Sequence, residues 1–196
     1  MAAIWPRCWR GRRAKLRVVD EPLNGVKVLA PTILEDDRGF FMESYNRREF
    51  SKVGISHHFV QDNHSRSSRG VLRGLHYQLG HAQAKLARVT RGRVFDVVVD
   101  IRRGSPTFAK WIGVELSEDN RMCLFAPEGF AHGFLVLSEV VDFQYKCSDF
   151  YSSADERGLP WNDQAIGIEW PLDGLRPVLS DKDRGFSRSW RYTVKP

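Results

Sequence analysis

Residues Val94 to Arg102, VFDVVVDIR, alternate with a period of two, and no other feature constrains the fold of this chain as strongly. Phe95, Val97, Val99 and Ile101 fall on one face of an extended segment, and Val94, Asp96, Val98 and Asp100 fall on the other. A helix would scatter these residues around its axis, whereas a strand sends successive side chains to opposite faces. One face is wholly apolar; the other carries two carboxylates among valines. Similar runs recur at Gly25 to Leu29, Phe40 to Ser44, His58 to Gln61, Gly70 to Gln78, Lys85 to Val89, Trp111 to Leu116, Arg121 to Phe125, His132 to Leu137 and Val140 to Lys146. Turn residues punctuate them: SEDN at Ser117 to Asn120 separates two strands, and APEG at Ala126 to Gly129 introduces the next. Only Arg47 to Lys52 and Asp163 to Ile166 resemble helical turns. Many short strands with such breaks predict an all-β sandwich or barrel, most economically a jelly roll with a few short helical turns.

A chain of 196 residues suits one domain. With 42% hydrophobic and 28% charged residues, a disordered chain and a collagen-like repeat are both excluded. No apolar run approaches the roughly 20 residues of a membrane span. The net charge of +6 suggests nucleic acid until it is located along the chain. Residues 1–19 hold Arg7, Arg10, Arg12, Arg13, Lys15 and Arg17 without an acid, so the other 24 basic residues balance the 24 acidic ones. We therefore expect a basic, poorly ordered extension over 1–19 and a single domain over 20–196, with neither nucleic acid nor membrane as partner. A nucleic-acid arm and a targeting segment are the alternatives for the extension. Cys8, Cys123 and Cys147 lack the spacing of a zinc knuckle or a disulfide framework, which fits reduced thiols in a cytoplasm.

The densest polar constellation runs from Phe59 to Lys85, FVQDNHSRSSRGVLRGLHYQLGHAQAK, and holds Gln61, Asn63, Arg73, His76, Gln78 and Lys85 in or beside expected strands. Strict alternation would put Arg73 and His76 on opposite faces. Gly74 between them is where a bulge can re-aim one of them. The plainer alternative is a hydrogen-bonded, partly buried histidine and an arginine reaching out to water. A second polar site is PEGFAHGF, in which Pro127, Gly129 and His132 resemble the second metal motif of cupin jelly rolls. The first cupin motif would need His-x-His with a later Glu, and the corresponding stretch here reads His76-Tyr77-Gln78. Two histidines without an obvious carboxylate partner make a poor divalent-metal site, so we expect neither metal nor cofactor. Acid–base work is what remains. An imidazole titrating near neutrality can take a proton from a carbon beside a carbonyl, and an ammonium can stabilise the resulting enolate. Tyr145, on the face of Val141 and Phe143, can return a proton from the other side, although a half-buried strand tyrosine is the ordinary alternative. LSDKD offers Asp181 and Asp183 as carboxylates to orient a histidine base.

Seven runs, in order, resemble the dTDP-4-dehydrorhamnose 3,5-epimerase family: EDDRGFFMESYN from Glu35, FVQDNHSRS from Phe59, VLRGLHYQ from Val71, FDVVVDIRRGSPTF from Phe95, PEGFAHGF from Pro127, LPWND from Leu159 and LSDKD from Leu179. The resemblance implies a cupin-like jelly roll acting as a homodimer without a cofactor. The implied reaction inverts C3 and C5 of a dTDP-4-keto-6-deoxyhexose on the way to dTDP-L-rhamnose. By position it implies His76 as base, Asp183 as its partner, Lys85 as enolate stabiliser and Tyr145 as acid on the opposite face. Arg38, Glu43, Gln61, Asn63, Arg73, His132, Glu156 and Lys182 fall where the family binds nucleotide and sugar, and Tyr151 where an aromatic ring stacks on thymine. Arginine suits a diphosphate because its planar fork is permanently charged. Phe150 stands where a first tyrosine is expected and Ser153 where proline is usual, so the lip over the nucleotide departs from the pattern. A single-centre epimerase and a sugar-nucleotide-binding jelly roll without catalysis are the alternative readings; a metal-dependent cupin oxygenase is a third.

Overall fold

The computed structural model describes residues 16–187. In chain order the elements are β1 (Arg17–Asp20), β2 (Lys27–Ala30), β3 (Ile33–Asp36), β4 (Gly39–Met42), α1 (Arg47–Lys52), β5 (Gln61–Ser68), β6 (Leu72–Gln78) and β7 (Lys85–Arg91). They continue with β8 (Arg93–Asp100), β9 (Trp111–Ser117), β10 (Cys123–Ala126), β11 (Phe130–Val136), β12 (Val140–Cys147), β13 (Glu156–Gly158) and α2 (Asp181–Arg184). A six-stranded sheet in the order β1-β2-β10-β7-β12-β5 and a five-stranded sheet in the order β13-β6-β11-β8-β9 are both antiparallel. The expected two-sheet jelly roll is present. Hairpin β3–β4 forms a separate two-stranded ribbon.

Alternation decides where each side chain goes. Val28, Ala87, Val89, Leu124, Val141 and Phe143 from the six-stranded sheet meet Val94, Val98, Phe134 and Val136 from the five-stranded one. That cluster is the interior between the sheets. The other face of β8 sends Val97 and Val99 into a second cluster with Leu75, Tyr77, Leu159 and Ile166. Burying a side chain of this size contributes about 1.5–3 kcal/mol, which holds the 159–170 segment over the outer face of the five-stranded sheet. Leu29, Leu86, Cys123 and Phe125 form a third cluster with Phe50 of α1, on the outer face of the six-stranded sheet. The helix starts where Asn46 caps the Arg48 backbone N–H, a contribution of about 1 kcal/mol.

Several elements differ from the sequence reading; β3 and β13 fall in none of the expected runs, and other differences lie at the boundaries. Arg17 and Val18, expected in the extension, pair with β2 as part of β1, with the register shifting across Val19, while Cys8 and the rest of the basic start lie outside the described residues. His58 to Val60 precede β5, which runs from Gln61 to Ser68 and lacks any apolar residue. Asp163 to Ile166 form a hydrogen-bonded turn, closed by Ile166 N–H donating to the Asp163 carbonyl at 3.1 Å. Helix α2, capped by the Ser180 hydroxyl, has no hydrophobic periodicity to announce it.

Candidate active site

The bulge expected at Gly74 is present and sets the site's geometry. Phe134 pairs with Arg73 and His132 with His76, so three residue steps on β6 oppose two on β11. Gly74 has φ of +120°, and a Cβ there would lie 2.5 Å from Gly133 Cα. Two glycines back to back let the strands close over the extra residue. The bulge turns Arg73 and His76 to the same interior face while Leu75 and Tyr77 pack outward. The Arg73 Nε donates to Ser67 Oγ at 3.0 Å, across to β5.

The His76 Nε2 lies 2.6 Å from an Asp183 carboxylate oxygen. Asp183 is only 4% exposed whereas the His76 side chain is 25% exposed, so the carboxylate backs the imidazole from inside and leaves one edge open to the cleft. Burial works to raise the Asp183 pKa, but hydrogen bonds from His76 and at Ser180 prevail and hold it below the ordinary value. Of the two candidate carboxylates Asp183 is the partner; Asp181 is exposed and pairs with Arg184. The Phe186 ring stands edge-on to His76, with centroids 5.7 Å apart.

The opposite sheet contributes Lys85 and Tyr145. The Lys85 ammonium lies 5.9 Å from the Tyr145 ring centroid. Burial pushes the Tyr145 phenol up to about 12, so it is a neutral proton donor throughout the neutral range. Burial also lowers the Lys85 pKa, against the raising effect of nearby Cys147, Glu156 and Asp96. At the mouth, Tyr151 Oη donates to Glu156 at 2.9 Å and Lys182 Nζ donates to the same carboxylate at 2.7 Å. Gln61 accepts from the Tyr151 backbone N–H at 3.0 Å and donates to Asn63 at 3.0 Å. Buried Gln78 accepts from Ser152 N–H at 2.8 Å and donates to the His81 carbonyl at 2.6 Å, which fixes the 150–152 lip against β6.

The fold thus brings Gln61, Asn63, Arg73, His76, Lys85, His132, Tyr145, Tyr151, Glu156, Lys182 and Asp183 to one end of the interior and its mouth. Arg38 and Glu43 are not among them. Arg38 sits in the β3–β4 turn bonded to Asp36, and Glu43 accepts from Asn46 at 3.0 Å beside α1, on the outer side of the six-stranded sheet. Sequence reasoning also passed over Asp96 as a site residue. It is fully buried and lies 2.7 Å from His132 Nε2. The signal was present: a carboxylate among valines on the interior face of β8. Among the described residues no group of three or more His, Cys, Asp or Glu is placed to hold a metal ion.

A two-sheet jelly roll whose interior holds a carboxylate-backed imidazole opposite a lysine and a neutral tyrosine defines a cupin-like protein equipped for acid–base chemistry. The chain belongs to the dTDP-4-dehydrorhamnose 3,5-epimerase family, whose model matches residues 20–189. It is 54% identical over 170 residues to the dTDP-4-dehydrorhamnose 3,5-epimerase of Shigella flexneri, covering 86% of this chain and 93% of that one. It is 56% identical over 160 residues to that of Pseudomonas aeruginosa, covering 81% and 88%. Among solved structures it resembles the Legionella pneumophila dTDP-6-deoxy-D-glucose-3,5-epimerase in complex with dTDP-4-keto-L-rhamnose: TM-score 0.84, 48% identity, 86% and 90% of the chains covered. A 3'-monoepimerase from Streptomyces bikiniensis in complex with dTDP-quinovose is similar at TM-score 0.77 and 36% identity, with 82% and 81% covered.

Proposed function

We propose that this protein converts dTDP-4-dehydro-6-deoxy-D-glucose to dTDP-4-dehydro-L-rhamnose, inverting C3 and C5 in dTDP-L-rhamnose biosynthesis. The observation that carries the reading is His76 on one sheet, backed by Asp183 of α2, opposite Lys85 and Tyr145 on the other sheet. His76 takes the proton from the carbon next to the 4-keto group, and the electron pair moves onto the carbonyl oxygen as an enolate. Lys85 faces that oxygen as an ammonium. Tyr145 gives its phenolic proton to the opposite face of the carbon, which inverts the centre; it then regains a proton from solvent while His76 releases its own to solvent, which resets both groups. The 4-keto group acidifies both neighbouring carbons, so one set of groups serves each in turn. Positioned acid–base groups of this kind contribute roughly 100-fold to 10,000-fold each. His132 and Glu156 bind the sugar with Lys182, Arg73 and Gln61 hold the diphosphate and nucleotide with Asn63, and Tyr151 stacks on thymine. The chemistry needs no cofactor.

A homodimer in the cytoplasm completes the reading. The exposed Phe40 and Phe41 of the β3–β4 ribbon offer apolar surface to a second copy, and Arg38 and Glu43 on that side of the molecule are then available to a neighbouring subunit's substrate. Inversion of a single centre is the second reading, favoured by the similarity to a 3'-monoepimerase and by exposed Phe150 at the lip. Incubation with the 4-keto sugar nucleotide, then a 4-reductase and NADPH, tests the choice. dTDP-L-rhamnose is the expected product; a sugar inverted at one carbon only would establish the second reading instead.

A further inference from the structure

We propose that Asp96 is a positioning residue of this acid–base site, fixing the His132 ring through one carboxylate oxygen and turning a buried negative charge toward the facing sheet that carries Lys85. The inference rests on the epimerase reading and adds to it a residue that touches no substrate.

Asp96 lies on the interior face of β8 with no exposed surface, paired in register with Phe134. Its Oδ1 is 2.7 Å from His132 Nε2, and its Oδ2 is buried without a hydrogen-bond partner. A buried carboxylate with only one hydrogen bond is costly unless positive charge compensates it. Lys85 on the facing sheet supplies that charge: it shares the interior face of β7 with Ala87 and Val89, Asp96 shares that of β8 with Val94 and Val98, and all four apolar residues meet in one cluster. The other charged and titratable groups around Lys85 are Tyr145 and Cys147 on β12, Glu156 on β13 and Lys182 on α2. Of the two carboxylates that act on Lys85, Glu156 is already paired with Lys182. The ion pair of Asp96 is with His132, and its second oxygen is left to the field of Lys85.

The same carboxylate sets His132. Accepting from Nε2–H fixes the tautomer, as a carboxylate behind a histidine commonly does. Nδ1 then becomes the free nitrogen of a ring that stands beside His76 across the β6–β11 pair. Two imidazole–carboxylate pairs therefore lie side by side, His76 with Asp183 and His132 with Asp96.

The test is Asp96→Asn, which keeps the shape and removes the charge. Removing a negative charge near an ammonium lowers its pKa, so the alkaline limb of the kcat profile moves to lower pH. We expect kcat for solvent-hydrogen exchange to fall about 10-fold to 100-fold, with KM within about threefold of the parent. An unshifted alkaline limb with kcat within twofold of the parent overturns the proposal. Failure of the parent itself to exchange hydrogen would instead overturn the epimerase reading. The unaltered protein supplies a measurement independent of the variant's folding: 15N NMR of the His132 imidazole. A proton on Nε2 is expected; a bare Nε2 would mean that Asp96 donates to the ring, and would contradict the proposal.

Discussion

The site gives its two faces different proton chemistry. His76 keeps one edge open while Asp183, buried behind it, accepts from its Nε2; Tyr145 is held neutral by burial. A base and an acid of these kinds are what inversion beside a ketone requires. Replacing His76 with Ala is expected to lower exchange of substrate C–H hydrogens with solvent by about 100-fold to 10,000-fold, and exchange at the parental rate would remove His76 as the base. Tyr145→Phe is expected to impair product formation more than proton abstraction, measured as product formed against hydrogen washed out of the substrate. Equal losses would count against the tyrosine as acid. At this scale the sequence was informative for side chains with family counterparts and silent about geometry. Nothing in LSDKD separates Asp181 from Asp183; the Ser180 cap does, by starting a turn that sends Asp183 inward and leaves Asp181 in water.

Strands with one apolar face were legible, and the strand facing the cleft was not. Central β8 alternated strictly because each face packs a hydrophobic cluster. Edge strand β5, QDNHSRSS, turns Gln61, Asn63 and Ser67 toward polar partners in the cleft, so it has no hydrophobic period to read. The bulge was legible from Gly74 alone, but the need for Gly133 opposite it was not. A Cβ on Gly133 would lie 2.6 Å from the Arg73 carbonyl oxygen. Gly133→Ala is therefore expected to cost about 1–3 kcal/mol by thermal melting and to lower epimerisation more than stability explains, because it displaces His76. A melting temperature and activity equal to the parent's would contradict that account of the bulge. The loop after β8 gives a pH test. Asp100 has a pKa of about 2: burial works to raise it, and bonds from Arg102, Thr107 and Ser105 outweigh that. A carboxyl depressed in the folded state stabilises it above its unfolded pKa, and that contribution disappears as pH falls through the folded value. Wild type should therefore lose on the order of 2 kcal/mol between about pH 4 and pH 2 that Asp100→Asn lacks throughout. Parallel stability–pH curves for the two proteins would contradict this.

Across the whole molecule, two sheets enclose one interior that is apolar at one end and chemically active at the other. The same alternation that builds the core delivers Lys85, Tyr145 and His132 into it. The two-sheet architecture was readable from strand count and turn residues. The separate β3–β4 ribbon was not, because the Phe40 to Ser44 run looks like any strand of the two sheets, whereas Phe40 and Phe41 are exposed in the single chain. Sedimentation should show a dimer, and Phe40→Ser with Phe41→Ser should shift it toward monomer; a monomeric parent would contradict the homodimer. The central claim, that one set of groups inverts both carbons beside the ketone, is tested most directly by NMR of dTDP-4-keto-6-deoxyglucose incubated with the protein in D2O. Deuterium is predicted at both C3 and C5. Deuterium at neither carbon would contradict the acid–base role of the site, and deuterium at one alone would confine that role to a single centre.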